Sequence, residues 1–182
     1  LMLRDYLWLK HKMAHVPRFL RSVVLSPFGY VIALIARTIP STFRGEHKFT
    51  ARITTVGDEA YYVDPRRGDW AIHRPRGTVL YEGDAGILSF GSVPFYGGGV
   101  QLFPFAGLAR SGMAHLRLAK INPVVGALRM PSIWQGRFRD PSKVFDFLFS
   151  EVIIELNRKV PVQHSGELEA EVQRLRIRVH PD

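Results

Sequence analysis

The chain has 182 residues, of which 46% are hydrophobic and 12% aromatic, so it can bury a core and is not expected to be disordered throughout. It has no cysteine, which excludes a disulfide scaffold, a thiolate nucleophile and cysteine-ligated zinc or iron–sulfur centres. The formal net charge is +9, and residues 1–52 account for +7 of it. This basic first third indicates an anionic partner (nucleic acid, a membrane surface or a phosphorylated substrate) or a solvated basic face without a specific ligand.

Residues 1–48 are predicted to form a basic helical arm. Pro17 suits the start of a helix, and the apolar residues that follow it repeat at three- and four-residue spacing. A second apolar run, 28–36, is too short to span a bilayer but has the basic flanks of a helix that lies on one. Packing of this run into the core is the alternative that we favour. For residues 1–40 as a whole, we expect salt-dependent binding to anionic vesicles.

From Phe49 onward the periodicity changes to two, which predicts a mostly β, α+β fold: an antiparallel β-sandwich over residues 49–182. Strands are predicted at 49–55, 60–63, 78–81, 87–90, 100–103, 115–118, 152–155, 160–163 and 174–179, with 152–155 and 160–163 as separate strands or halves of one. Two inserted helices are predicted at 122–130 and 140–149. The second would begin with Asp140 as N-cap and Pro141 in the first position.

Few local patterns indicate chemistry. The seven histidines are scattered and lack zinc-ligand spacing, so no zinc site is expected. The three glycines in 96–100 fit either a close backbone approach to a phosphate or a tight turn. In 163–167, Glu167 or His164 could serve as a general base, and an ordinary hairpin turn with a solvated acid is the alternative.

Four stretches in order resemble the C-terminal half of the diacylglycerol kinase family of lipid kinases, which includes sphingosine-kinase-like enzymes. They are 91–99 (GSVPFYGGG), 102–106 (LFPFA), 112–117 (GMAHLR) and 161–167 (PVQHSGE). The resemblance implies a β-sandwich that holds the lipid and supplies Glu167 as proton acceptor. It also implies ATP and Mg²⁺ bound by an N-terminal nucleotide-binding domain with a Gly-Gly-Asp-Gly-Thr loop, which this sequence lacks.

Two departures from the family pattern matter. The usual Asp-Gly-Glu turn is Ser165-Gly166-Glu167 here, so its first acid is lost. The family's Asp-Asp-Gly-x-x-Asp segment, which helps to hold a structural magnesium ion, matches 110–115 only at Gly112. No metal site is therefore expected in this chain.

The resemblance implies the substrate-binding half of an ATP-dependent lipid kinase, which phosphorylates a lipid hydroxyl such as that of diacylglycerol or a sphingoid base. The isolated chain is expected to be inactive. A non-catalytic lipid- or membrane-binding module derived from the family is the alternative. The expected partners are a lipid substrate, an anionic membrane surface and the missing nucleotide-binding domain, with cytoplasmic, peripheral membrane localisation. Nucleic acid is not expected, because the basic strand 174–179 has no interleaved aromatic residues.

Overall fold

A computed structural model of the protein describes residues 48–68, 71–96, 99–121, 123–164 and 167–181. Apart from Lys48, the predicted helical arm lies outside these residues. The strands are β1 (Phe49–Thr55), β2 (Ala60–Val63), β3 (Ala71–His73), β4 (Val79–Ala85), β5 (Ile87–Gly91), β6 (Ala114–Ala119), β7 (Val144–Phe149), β8 (Glu151–His164) and β9 (Glu167–Arg178). The helices are a 3₁₀ turn (Ala106–Leu108), α1 (Pro123–Leu128) and α2 (Met130–Trp134). Over the described ranges, no helix has the length and apolar character needed to cross a bilayer.

The described strands form two antiparallel sheets, which confirms the predicted mostly β fold. The first sheet has the order β4-β1-β8-β9 and the second has the order β3-β2-β7-β6-β5. Alternate residues of β1 are buried, as its period of two predicts. One hydrophobic core contains residues of both sheets, including Ile53 of β1, Ile154 of β8, Leu116 of β6 and Phe149 of β7. The sheets therefore pack face to face as a sandwich.

The chain passes between the two sheets at a tight corner. β7 ends one residue before β8 begins, and Ser150 between them donates a backbone hydrogen bond to Glu59 O at 2.9 Å. The backbone N–H groups of Val56 and Gly57, in the β1–β2 connection, both donate to Glu151 O. A Cβ at Gly57 would clash with the Ser150 hydroxyl, so a residue without a side chain lets the two connections cross.

The C-terminal hairpin agrees with the sequence prediction. The two predicted segments 152–155 and 160–163 are halves of one strand, β8, which pairs with β9 along its length with two register shifts. In β9, Arg174, Arg176 and Arg178 are exposed, whereas the aliphatic residues between them are partly buried. Leu175 and Ile177 pack against the core between the sheets.

The predicted helix at 140–149 is wrong. Asp140 accepts hydrogen bonds from the backbone N–H and hydroxyl of Ser142, at 3.0 and 2.6 Å, and so stabilises a turn rather than a helix start. The next residues form β7, in which five of six residues are buried. A strand covered on both faces has a nearly continuous apolar sequence, so it lacks the alternation that distinguishes a strand from a helix.

Two other predictions need correction. Residues 100–103 form no strand: Val100 makes only an isolated bridge with Tyr96, and Phe103 N donates to Pro94 O at 3.0 Å. The predicted helix 122–130 is present only in part, because α1 ends at Leu128 and a second helix, α2, follows. Pro131, which lacks a backbone N–H, lies in the first turn of α2, where that donor is not needed.

Candidate functional site

Glu167, the predicted proton acceptor, is the first residue of β9. Its backbone pairs with His164 at the end of β8. β1 accompanies β8 only as far as Leu156, and β9 is the edge of its sheet. Glu167 and His164 thus lie at the far end of a ribbon that, within the described structure, consists of β8 and β9 alone. The role of Glu167 as a base stays a prediction.

The other three stretches that carry the family resemblance meet at the outer face of the second sheet. Gly91 at the end of β5 pairs with His115 of β6, and the ring of Phe103 packs beside both residues. Gly112, with φ of 76°, turns the chain into β6. The structure therefore joins 91–96, 102–106 and 112–117 into one region, although they are separated in sequence.

A buried polar triad lies at the centre of this region. Asp146 of β7 accepts hydrogen bonds on Oδ1 from Arg117 Nε and His115 Nε2 of β6, both at 2.8 Å. Its other oxygen, Oδ2, accepts from Arg117 Nη2 at 3.2 Å, which makes the arginine contact bidentate. The side chains of His115 and Asp146 are fully buried, and that of Arg117 is 6% exposed.

The electrostatics of the triad favour an ionised Asp146. Burial alone raises the pKa of a carboxyl group, but the His115 hydrogen bond and the charge and hydrogen bonds of Arg117 outweigh it and hold the pKa of Asp146 below its ordinary value. The second ring nitrogen of His115, Nδ1, is buried without a hydrogen-bond partner in the described structure. The tautomer with its proton on Nε2, which donates to Asp146, fits these contacts.

The triad also holds in place the segments around 102–105 and 138, which lie over the outer face of the second sheet and form its covering layer. Arg117 Nη1 donates to Leu102 O at 3.1 Å, and Nη2 donates to Phe138 O at 3.3 Å. The rings of Phe103 and Phe105 both lie 5.7 Å from the ring of His115. One guanidinium thus connects β7 to the segments before and after the two helices. Because the three side chains are closed off from solvent and hold backbone carbonyls on either side, the arrangement positions the loops.

This triad was not predicted from the sequence. His115 and Arg117 lie in the stretch 112–117 that carries the family resemblance, but no pattern paired them with each other or with Asp146. A signal was present, because each of the apolar strands β6 and β7 contains charged or titratable residues, and a buried charge needs a partner. The helix predicted at 140–149 concealed the pairing of Arg117 with Asp146.

A cavity of about 310 Å³ is lined in part by the segment that precedes β6, and its composition bears on the family's structural magnesium ion. It is lined by residues of the 106–113 segment and by Val179 and His180 after β9. Arg110 and Ser111 stand where the family pattern has two acids, and both line this cavity. A guanidinium and a hydroxyl do not bind Mg²⁺ as carboxylates do, so these residues do not fit that ion. In the described part of the chain, no three His, Asp or Glu side chains group as a metal site.

Comparisons with known proteins give a likeness of fold. No family model and no curated protein matches the sequence. A solved structure from Bacillus anthracis str. Sterne, provisionally described as a diacylglycerol kinase, aligns with a TM-score of 0.50 and 14% identity. The alignment covers 83% of this chain and 40% of that one.

Two further structures from the same organism align less closely. One, also provisionally described as a diacylglycerol kinase, has a TM-score of 0.48 at 14% identity and covers 84% of this chain and 40% of its own. The other, described as a diacylglycerol kinase, has a TM-score of 0.47 at 13% identity and covers 79% of this chain and 44% of its own. The chain spans less than half the length of each of these proteins. It has the fold of one part of the structure that aligns at a TM-score of 0.50.

Proposed function

We propose that this chain is the lipid-side domain of an ATP-dependent lipid kinase that transfers a phosphoryl group to a lipid hydroxyl, such as that of diacylglycerol or a sphingoid base. The fold likeness to the provisionally described diacylglycerol kinase carries the proposal, because it covers most of this chain but only 40% of that protein. That partial coverage agrees with a sequence that resembles only the C-terminal half of the family. ATP and Mg²⁺ would bind to a nucleotide-binding domain outside this chain.

The proposed chemistry needs three contributions. The lipid hydroxyl must be aligned, its proton must be accepted, and the charge on the transferred phosphoryl group must be neutralised. Glu167 would accept the proton from its place at the end of the β8–β9 hairpin, where its backbone pairs with His164. The cation and the phosphate-binding loop would come from the nucleotide-binding domain. Residues 1–40 of the basic N-terminal arm would add affinity for an anionic membrane.

The test is Glu167→Gln in the complete polypeptide that contains this chain and a nucleotide-binding domain. Transfer of labelled phosphate from ATP is measured with diacylglycerol and with sphingosine in mixed micelles. The amide keeps the shape of the side chain but not its basicity, so kcat should fall about 10²–10⁴-fold with little change in lipid binding.

Glu169→Gln is the matched control, because Glu169 lies two residues further along the same strand. It should retain near-normal kcat. An equal loss in both variants would show a general effect of charge at the hairpin end. Near-normal activity of Glu167→Gln would eliminate Glu167 as the base and make His164 the next residue to test.

The alternative function, a non-catalytic lipid- or membrane-binding module, is favoured by specific sequence changes. Ser165 replaces the first acid of the Asp-Gly-Glu turn, and Arg110 and Ser111 replace two acids of the magnesium-binding segment. If the complete protein binds lipid vesicles but phosphorylates neither diacylglycerol nor sphingosine, the module explains the chain better than the kinase.

A further inference from the structure

One segment of the chain is free of acidic residues and rich in exposed apolar ones. From Gly86 to Arg139 the sequence contains no Asp or Glu but six Lys or Arg. The described residues include ten exposed large hydrophobic side chains, and eight of them lie in this segment, which is less than a third of the sequence. They are Ile87, Phe90, Val93, Phe95, Tyr96, Leu108, Val125 and Leu128.

The most exposed of these side chains, apart from Leu128, are on one loop. Val93 and Phe95 are each 59% exposed, and Tyr96 is 47% exposed. The loop is held from within, because Tyr96 N donates to Val100 O at 2.8 Å and Phe103 N donates to Pro94 O at 3.0 Å. The aromatic side chains thus project from an anchored backbone, and a cluster of this kind on a soluble surface marks an interaction site.

Two exposed cations lie on the segments that follow this loop in the chain. Gln101, five residues after Tyr96, donates from its backbone N to Trp134 O at 3.0 Å, and a Cβ built on Gly136 would lie 3.0 Å from the Gln101 side chain. These contacts bring the end of α2, and the exposed Arg137 after it, beside Gln101. Arg129, also exposed, lies between α1 and α2. Apolar side chains flanked by cations, with no acid in the segment, are complementary to an anionic lipid surface.

We propose that the loop 93–96, together with Arg129 and Arg137, forms a docking surface for anionic phospholipid membranes. Phe95 and Tyr96 enter the interface between headgroups and acyl chains, while the guanidinium groups contact lipid phosphates. The residues of this surface do not belong to the N-terminal arm, 1–48. It deepens the proposed function, because a lipid kinase must reach a substrate held in a membrane.

The test measures flotation of the whole chain with vesicles of phosphatidylcholine alone and with vesicles of phosphatidylcholine mixed with phosphatidylserine, each at low and high salt. Phe95→Ser combined with Tyr96→Ser should weaken binding to the anionic vesicles at least tenfold. Neutralising Arg129 and Arg137 with Gln should weaken it about fivefold per cation, since each contributes about 1 kcal/mol near such a surface. The effect of the arginine variants should shrink as salt rises.

Matched controls lie outside the segment. Ile72→Ser removes a side chain that is 41% exposed on β3, and Arg66→Gln with Arg76→Gln removes two exposed cations. Both should bind anionic vesicles like the unaltered chain. Circular dichroism and thermal unfolding confirm that each variant is folded.

Three outcomes would overturn the proposal. The unaltered chain could fail to bind anionic vesicles, or the loop and arginine variants could bind them no more weakly than the controls. In the third, the chain self-associates in sedimentation experiments, and Phe95→Ser with Tyr96→Ser abolishes this self-association but leaves vesicle binding unchanged. The surface would then bind a second copy of the chain and not a membrane.

The docking surface and the kinase can fail separately. Vesicle binding is measured without ATP, and turnover by the complete protein is measured with a short-chain lipid that is monomeric in solution. If the surface variants bind vesicles weakly and no lipid is phosphorylated, the docking surface stands and the kinase fails. If the complete protein phosphorylates the lipid but the surface variants bind vesicles normally, the kinase proposal stands and the docking surface fails.

Discussion

Asp146 links β7 to β6 through two buried partners. It is fully buried, and it pairs with both Arg117 and His115. Such a group stabilises the fold only while all its partners are present, because removing one member leaves the others buried and uncompensated. Surface pairs such as Arg52–Glu82, in which both side chains are more than half exposed, contribute little by comparison.

Replacing Asp146 by Asn should therefore lower the free energy of unfolding by about 3–5 kcal/mol, since it leaves Arg117 as a buried charge without its carboxylate. Urea denaturation measures the change. Glu82→Gln is the control and should cost less than about 1 kcal/mol. Equal effects of the two substitutions would contradict the role assigned to the triad.

At the scale of elements, the covering layer depends on close contact between a loop and a strand end. A Cβ at Gly91 would lie 2.7 and 2.8 Å from two ring carbons of Phe103, and that ring packs against His115. Phe103 is buried, so it cannot move aside without disturbing the triad. The position of the Phe103 ring, in the loop before the 3₁₀ turn, therefore requires a residue without a side chain at the end of β5.

Gly91→Ala should destabilise the protein by about 1–3 kcal/mol, because overpacking a filled site forces a side-chain or backbone shift. Thermal and urea unfolding measure the loss. Combining it with Phe103→Leu, which makes room, should cost less than the sum of the two single changes.

The control is Gly107→Ala, because an added Cβ there has no atom within 4 Å in the described structure. If Gly91→Ala were as mild as Gly107→Ala, the contact with Phe103 would not be limiting.

At the scale of the whole molecule, the net charge of +9 becomes more positive as acidic side chains are protonated at low pH. The positive charges then repel one another more strongly, which destabilises the compact state. Low pH also protonates the buried carboxylate of Asp146. Asp146 has a folded-state pKa below its ordinary value. Its contribution to stability is present in full above the unfolded-state pKa of about 4 and is lost as pH falls through the lower folded-state pKa.

The difference in unfolding free energy between the unaltered chain and Asp146→Asn should accordingly be largest near neutral pH and should shrink below about pH 4. Denaturant titrations from pH 7 to the acid limit measure it. Other carboxylates are common to both proteins and cancel. A difference that stayed constant or grew toward low pH would show that Asp146 is not the titrating group.

The sequence by itself determined the elements whose two faces differ. Alternation in β1 and in residues 174–179 predicted strands with one face turned to the core, and both strands are present, the second as the end of β9 at Arg178. Local sequence also predicted the antiparallel sandwich. The ordered short motifs resemble those of diacylglycerol kinases, and one solved structure that is provisionally described as a diacylglycerol kinase shares the fold of this chain at a TM-score of 0.50.

Only the tertiary structure decided which elements are covered on both faces. β7 has no alternation because the first sheet covers one face and the loops around Phe103 and Phe138 cover the other, so its apolar run was mistaken for a helix. The triad of His115, Arg117 and Asp146 depends on the register of β6 against β7, which no local pattern encodes. Burial by segments that are distant in sequence is a property of the folded chain. Strands with one exposed face could therefore be predicted from local sequence, whereas β7 and the buried triad could not.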